Sequence, residues 1–186
     1  MAGWQVIEER VLVDQPPWLT VREQDIKFPG GQILQNYILL DERDGCLVFA
    51  VTQDGRAILL EQYRHGRGTR EVGLPSGFLD EGEDPLAAAR RELMEETGYA
   101  GHNWTSLGAL FTNSNRGRQL FHFFLARDVR LVQGPEREVS ERDITISLMR
   151  LDELKAYLAQ SNGDIGMAAM AGILLGLAEL ERERER

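Results

Sequence analysis

Three glutamates, Glu92, Glu95 and Glu96, crowd the last two turns of a helix that the sequence predicts over residues 85–97, within the stretch GFLDEGEDPLAAARRELMEETGY at 77–99. Negative charge at a helix C-terminus opposes the macrodipole. Glu92 and Glu96, four residues apart, add a like-charged pair that opposes the helix by about 0.2–0.5 kcal/mol. A segment shaped for stability alone would avoid this, so something positive is expected over that face. On a helical wheel Leu86, Ala89 and Leu93 share an apolar stripe, and the three glutamates fall on the neighbouring arc. Arg91 stands four residues before Glu95 and can neutralise and orient it, which leaves Glu92 and Glu96 without an evident local partner. Clustered carboxylates suit a hard divalent cation, Mg2+ with Mn2+ able to substitute, because both take oxygen ligands and keep waters. His65, His102 and His122 are too widely spaced for a zinc pattern. The plain alternative is a solvated acidic face. The unfavourable helix end and the glycine-rich loop ahead of it favour a cation site.

The elements around this helix follow from pattern. Asp84-Pro85 is a helix start, with Asp at the N-cap and Pro at the first helical position; Gly98 is a natural stop. Residues 4–14 and 18–28 alternate as strands around the DQPPW break, and FPGGQ turns into a third strand, ILQNYILLDE. CLVFAVTQDGRAILLEQYR reads as two strands with Asp54-Gly55 at a tight hairpin. HGRGTRE reads as a loop leading to VGLPSGFLDEGE and the helix. Further strands are expected in WTSLGALFT, QLFHFFLARDV and ITISLMRL, then helices over 152–160 and 165–181, with ERERER as a solvated, fraying end. Strands interspersed with helices imply an α+β or α/β layered fold. Residues 1–46 form a separable antiparallel β meander, a dimerisation or lid element, ahead of a main domain at 47–186.

Composition narrows the function classes. The chain has 186 residues, 42% apolar and 27% charged, so it can bury a sizeable core. A net charge of −9 argues against nucleic acid as a main partner. Cys46 is the only cysteine, which excludes an intrachain disulfide and suits a reducing compartment. The N-terminal decapeptide has no apolar h-region, and the apolar run at 165–178 is too short to span a bilayer. A soluble, cytoplasmic protein without membrane contact is expected.

The 77–99 stretch resembles the signature of the Nudix hydrolases. That signature runs Gly, five residues, Glu, seven residues, then Arg-Glu-aliphatic-x-Glu-Glu-x-Gly and a bulky apolar residue. Gly77, Glu83, Arg91, Glu92, Leu93, Glu95, Glu96 and Gly98 all match, with Tyr99 where an aliphatic is commoner. At ordinary residue frequencies the seven fixed identities would coincide by chance about once in a million chains of this length. LLEQYRHGRG…GLPSGFLDEGE resembles the subgroup that splits ADP-ribose and other nucleoside diphosphate sugars, as do PPWLTVREQDIKFPGG and the closing helices. The resemblance implies an α/β/α sandwich with a mixed sheet and an N-terminal meander that helps form a homodimer. It also implies metal-dependent cleavage of a nucleotide sugar such as ADP-ribose or GDP-mannose to a nucleoside monophosphate and a sugar phosphate.

By the same resemblance Glu92 and Glu96 are metal ligands, Ser76 offers a backbone carbonyl, and Glu95, fixed by Arg91, joins the shell. Glu83 ties the loop to the helix. Arg64, and Arg116 in TNSNRG, approach the substrate, with a surface salt bridge the alternative for Arg64. The water-activating carboxylate is expected on the loop QGPEREVSERD at 133–143, with Glu141 first and Glu138 second; Arg137 and Arg142 pairing with these acids is the bland alternative. Two departures widen the substrate question: Gly73 stands where the subgroup carries Glu two residues before proline, with Glu71 two residues earlier, and TNSNRG lacks the proline of dedicated ADP-ribose enzymes. Another Nudix substrate (a dinucleoside polyphosphate or coenzyme A) and a non-catalytic nucleotide-sugar-binding module are the competing readings.

Overall fold

The structure is a computed structural model and describes residues 3–186. Its residues group into two compact units. One takes the chain up to Asp44 together with Leu110–Leu120; the other takes Gly45–Ala109 and Phe121–Arg186.

The first unit is an antiparallel meander of β1 (Gln5–Gln15), β2 (Leu19–Lys27) and β3 (Ile33–Asp41). Register runs from Gln5 opposite Lys27 to Gln15 opposite Leu19, and Thr20 faces Asp41 on the other side. Cross-strand ion pairs, Arg10–Glu23 at 2.8 Å and Arg22–Asp41 at 2.5 Å, join facing strands. Residues 110–120 fold onto β3: the Leu40 amide donates to the Arg116 carbonyl at 2.6 Å, and the Tyr37 hydroxyl donates to the Asn115 carbonyl.

The second unit is built on a mixed sheet. β4 (Gly45–Thr52), β5 (Arg56–Arg64), β6 (Thr69–Gly73), β7 (Ser76–Phe78), β8 (Tyr99–Ala100), β9 (Asn103–Phe111), β10 (Leu120–Leu131) and β11 (Thr145–Arg150) accompany three helices, α1 (Pro85–Thr97), α2 (Leu151–Gln160) and α3 (Met167–Arg184). The sheet order is β11-β5-β4-β10-β8, with β6 on β5, β7 on β4 and β9 on β10. β4 pairs parallel with β10 and antiparallel with β5 and β7.

β4 is buried along its whole length, which explains its unbroken apolar run: a strand covered on both faces needs no polar alternation. The two faces separate cleanly. Leu47, Phe49, Leu59, Phe123 and Leu125 meet Leu154 of α2 and Ile173 of α3. Cys46, Val48, Ala50, Ile58, Phe124 and Ala126 meet Ala88, Ala89 and Leu93 of α1. A period of two on each strand thus produces the α/β/α sandwich.

Two expectations are revised. HGRGTRE is not all loop: Thr69–Gly73 pairs with β5, Arg64 facing Thr69 and Leu60 facing Gly73. Glu71 and Gly73 carry little strand signal, and the partner strand decides their conformation. α3 also runs on to Arg184, its charged end continuing the helix. No helix among the described residues is long and apolar enough to cross a membrane.

Ile173 is fully buried in the α3 layer. Ile173→Ala should lower unfolding stability by about 2–5 kcal/mol, the usual effect of leaving a cavity in a packed core. Urea denaturation measures this, and a loss under about 1 kcal/mol would mean that the α3 layer is not close-packed.

Candidate active site

α1 starts and stops as its sequence dictates. The Asp84 carboxylate accepts from the amides of Leu86 and Ala87, each at 3.0 Å, and Pro85 follows at the first helical position. Gly98 closes the helix at φ +75°, its amide donating to the Met94 carbonyl at 2.7 Å. A Cβ at Gly98 would lie 2.1 Å from the Gln133 carbonyl oxygen, so only glycine lets the loop at 133–143 begin against the helix end.

The carboxylates of the last turns differ sharply in exposure. Glu92 and Glu96 are 7% and 4% exposed, while Glu95 is half-buried. β7 brings the chain ahead of the helix over them. The Ser76 amide donates to Glu96 Oε2 at 2.8 Å. A Cβ on Gly77 would stand 1.9 Å from Glu92 Oε1, so the bare glycine backbone makes the space in which that carboxylate sits.

Arg91 is the organising cation. Its Nε and Nη2 donate to the Glu83 carboxylate at 3.1 and 3.0 Å, and Nη2 also donates to the Phe78 carbonyl at 3.2 Å. Its Nη1 reaches Glu92 at 2.7 Å and Glu95 at 3.2 Å. Glu92 therefore has a local partner after all. The wheel spacing ranks the Glu95 contact first, but an adjacent arginine whose fork turns across the helix face serves both acids.

Burial sets the acidities here. It pushes the Glu96 carboxyl up to about 8, with the charges of Glu92 and Glu141 adding to the rise and the Ser76 amide and Arg64 opposing it. Glu92 is raised as well, burial outweighing the nearby Arg91. Arg91 itself is held more firmly protonated, chiefly by its bonds to Glu83. Charge from Glu141 is thus felt at both helix carboxylates, and charge from Arg64 at Glu96.

Glu141 lies in a short 3-10 turn, Val139–Glu141, and its carboxylate accepts from the Glu138 amide at 3.3 Å. Glu138 is exposed and does not number among the charges that act most on the helix acids. Arg137, whose pairing with loop acids is the bland alternative, donates to the Glu96 carbonyl at 2.8 Å and the Ile144 carbonyl at 2.6 Å. Part of the positive charge expected at the acidic helix end comes from this residue, which spacing within α1 does not reveal. Asp143 is occupied by the Tyr63 amide at 3.0 Å and Arg70 at 3.3 Å. Arg64 is exposed and, among the described residues, pairs with no acid. Arg116 belongs to the other unit, where it donates to the Ile38 carbonyl at 3.2 Å and lies over the Tyr37 ring at 5.4 Å.

Among the described residues no three His, Cys, Asp or Glu side chains converge on one point. The donors are two buried carboxylates with a third beside them, all oxygen, beneath a cradle that a single Cβ would fill. That sparse set fits Mg2+, which is held by one or two carboxylates and keeps waters or substrate oxygens for the rest.

Comparison with known proteins gives the family. The NUDIX domain model matches residues 41–168. The chain belongs to the Nudix hydrolases and is a pyrophosphatase enzyme of that family. Among its relatives, the ADP-ribose pyrophosphatase of Mycobacterium tuberculosis (strain ATCC 25618 / H37Rv) is 30% identical over 166 residues, covering 86% of this chain and 79% of the relative. The CMP-5'-(N-acetyl-N-hydroxy-3-aminopropyl)phosphonate hydrolase of Streptomyces rubellomurinus (strain ATCC 31215) is 33% identical over 177 residues, covering 91% and 83%. The crystal structure of an ADP compounds hydrolase superposes with a TM-score of 0.82 at 20% identity, covering 98% of this chain and 97% of the other, and shares the fold.

The acidity of Glu96 has a consequence for stability. Its folded value, about 8, lies above the ordinary 4.5, so the folded protein keeps a proton that the unfolded chain releases. The associated stability is fully present below about pH 4.5 and is lost as pH rises through about 8. The metal-free protein should therefore show a falling thermal midpoint between about pH 5 and 8, and Glu96→Gln should flatten much of that slope, leaving the part due to Glu92. Thermal scans in a chelating buffer across this range test it; an undiminished slope in the variant would remove Glu96 as the source.

Proposed function

We infer that the protein hydrolyses the pyrophosphate bond of nucleoside diphosphate sugars, ADP-ribose first and GDP-mannose second, using Mg2+ with Mn2+ able to substitute. The observation that carries this reading is the gathering of two buried helix carboxylates, Glu92 and Glu96, within the field of the loop carboxylate Glu141, with the exposed guanidinium of Arg64 acting on Glu96 as well. Kinship to an ADP-ribose pyrophosphatase over most of the chain supports the substrate class.

In this reading Glu92 and Glu96 hold the cation, with Glu95 and the Ser76 backbone carbonyl at its margin. A bound divalent cation supplies charge screening across the diphosphate and makes water more acidic. Arg91 keeps Glu92 and Glu95 oriented. Arg64 binds a phosphate or sugar oxygen of the substrate. Glu141 accepts a proton from the attacking water as its oxygen bonds to one phosphorus and the bridging P–O bond breaks, releasing a nucleoside monophosphate and a sugar phosphate. Glu138 is the second candidate for that proton. For Arg116 the geometry supports a local role, bridging Ile38 and Tyr37, and no substrate contact is proposed for it.

The test is kcat/KM for a panel of nucleotide sugars, dinucleoside polyphosphates, coenzyme A and a CMP-linked phosphonate of the kind named for the Streptomyces relative. ADP-ribose is expected to lead. Preference for a dinucleoside polyphosphate or a nucleoside triphosphate would contradict the substrate class, and no turnover of any member with Mg2+ would favour a binding module. Glu96→Gln should remove most activity with the fold intact, and Glu141→Gln should lower kcat by about 10²-fold while metal affinity changes little.

The first unit supports a homodimer. Val6, Val11, Val13, Trp18 and Ile33 are exposed, as is Trp4, which meets Phe28 edge-on at 4.7 Å. Grouped apolar exposure of this kind marks an interaction surface, and a two-fold pairing of like patches is the simplest closed assembly. Light scattering at micromolar concentration should return twice the 21.0 kDa chain mass; a monomer would count against it.

A further inference from the structure

We propose that Arg137 is a positioning residue: by closing the loop at its base, it holds Glu141 against the carboxylate end of α1. This rests on the reading of Glu141 as proton acceptor. The Arg137 guanidinium donates from Nε to the Glu96 carbonyl at 2.8 Å and from Nη1 to the Ile144 carbonyl at 2.6 Å. One planar group thus joins the last turn of α1 to the residue just before β11, and the segment between 137 and 144 becomes a closed ring.

Asp143 aside, which the Tyr63 amide and Arg70 tie to the strands, the bonds within that ring are local. The Glu141 amide donates to the Glu138 carbonyl at 3.1 Å, the Ile144 amide to the Glu141 carbonyl at 3.0 Å, and the Glu138 amide to the Glu141 carboxylate at 3.3 Å. They shape the turn without attaching it to the helix. Attachment to α1 comes from the Arg137 side chain and, one residue earlier, from the Glu136 amide on the Glu95 carbonyl at 2.8 Å. Among the described residues Arg137 has the one side chain that hydrogen-bonds both α1 and this turn. Apolar burial holds the far end, where Ile144 is 5% exposed, but not the turn itself, where Val139 is 76% exposed. A segment held by few polar ties opens at low free energy when one is removed.

The chemistry of the anchor suits arginine. Two carbonyls on different elements require donors diverging from one rigid plane, which guanidinium provides and a single ammonium does not. The carbonyl at Glu96 belongs to the negative end of the helix dipole, where a cation is favourable. The same contact lies on the backbone of a carboxylate that bounds the site, so the loop is referenced directly to the group it must face.

The experiment is a double-mutant cycle joined to hydrogen exchange. Arg137→Ala should lower kcat by about tenfold or more, with KM and the Mg2+ requirement within about threefold, as expected when a proton acceptor is misplaced but substrate binding is kept. In a Glu141→Gln background the same substitution should cause no further loss, because it acts through Glu141. Arg137→Lys should recover only part of kcat. Amides at 138–144 should exchange faster in Arg137→Ala, at unchanged thermal midpoint. Equal losses in both backgrounds, wild-type kcat in Arg137→Ala, or unchanged exchange at 138–144 would each overturn the proposal. Wild-type kcat in Glu141→Gln alone would instead take down the proton-acceptor reading, with the exchange data still deciding whether Arg137 holds the loop.

Discussion

The structure of the site turns on one demand: two adjacent carboxylates, Glu92 and Glu96, are withdrawn from water at the end of a helix that already disfavours them. Burying an ion costs several kcal/mol unless its partners are well placed. Here the partners come from three directions. Arg91 crosses the helix face to Glu92, the Ser76 amide meets Glu96 from β7, and Arg137 takes the Glu96 carbonyl from the loop beyond. None of these removes the tension entirely, which is why both carboxyls stay raised. A divalent cation is the group that would relieve it, so the strain left in the protein alone is the same feature that makes the site useful.

Arg91 shows why the family signature specifies arginine rather than a positive charge in general. It uses a planar fork to bind Glu83, the Phe78 carbonyl, Glu92 and Glu95 together. Lysine, a compact point charge, could satisfy one or two of these. The Glu83 contact ties the turn before α1 to the helix, with the Asp80 amide donating to the same carboxylate at 3.0 Å. The loop and the helix therefore keep a common geometry, and Gly77 stays where a side chain would collide with Glu92.

The departure at Gly73 has a physical reading too. A Cβ built on Gly73 lies 3.9 Å from the Arg64 guanidinium. A glutamate there would have a cation within easy reach, whereas glycine leaves Arg64 without an acid among the described residues. The charge of Arg64 is felt at Glu96, which suits the phosphate contact proposed for this arginine.

Much of this was legible in the sequence because it depends on local spacing. The caps at Asp84 and Gly98, the hairpin at Asp54-Gly55, the two-faced strands and the acidic face of α1 all follow from residue types a few positions apart, where backbone preference and periodicity act. Even the family signature is a local pattern, since a turn, a helix and its fork must be contiguous to form the cradle. Tertiary structure decided what local spacing cannot carry. β6 exists because β5 offers it a ladder; Arg137 caps α1 because a loop some forty positions later folds back onto it; and the charge of Glu141 is felt at the helix acids only once that loop has folded. The acidity of Glu96 was likewise invisible in the chain, for it comes from burial, and burial is a property of packing between distant segments.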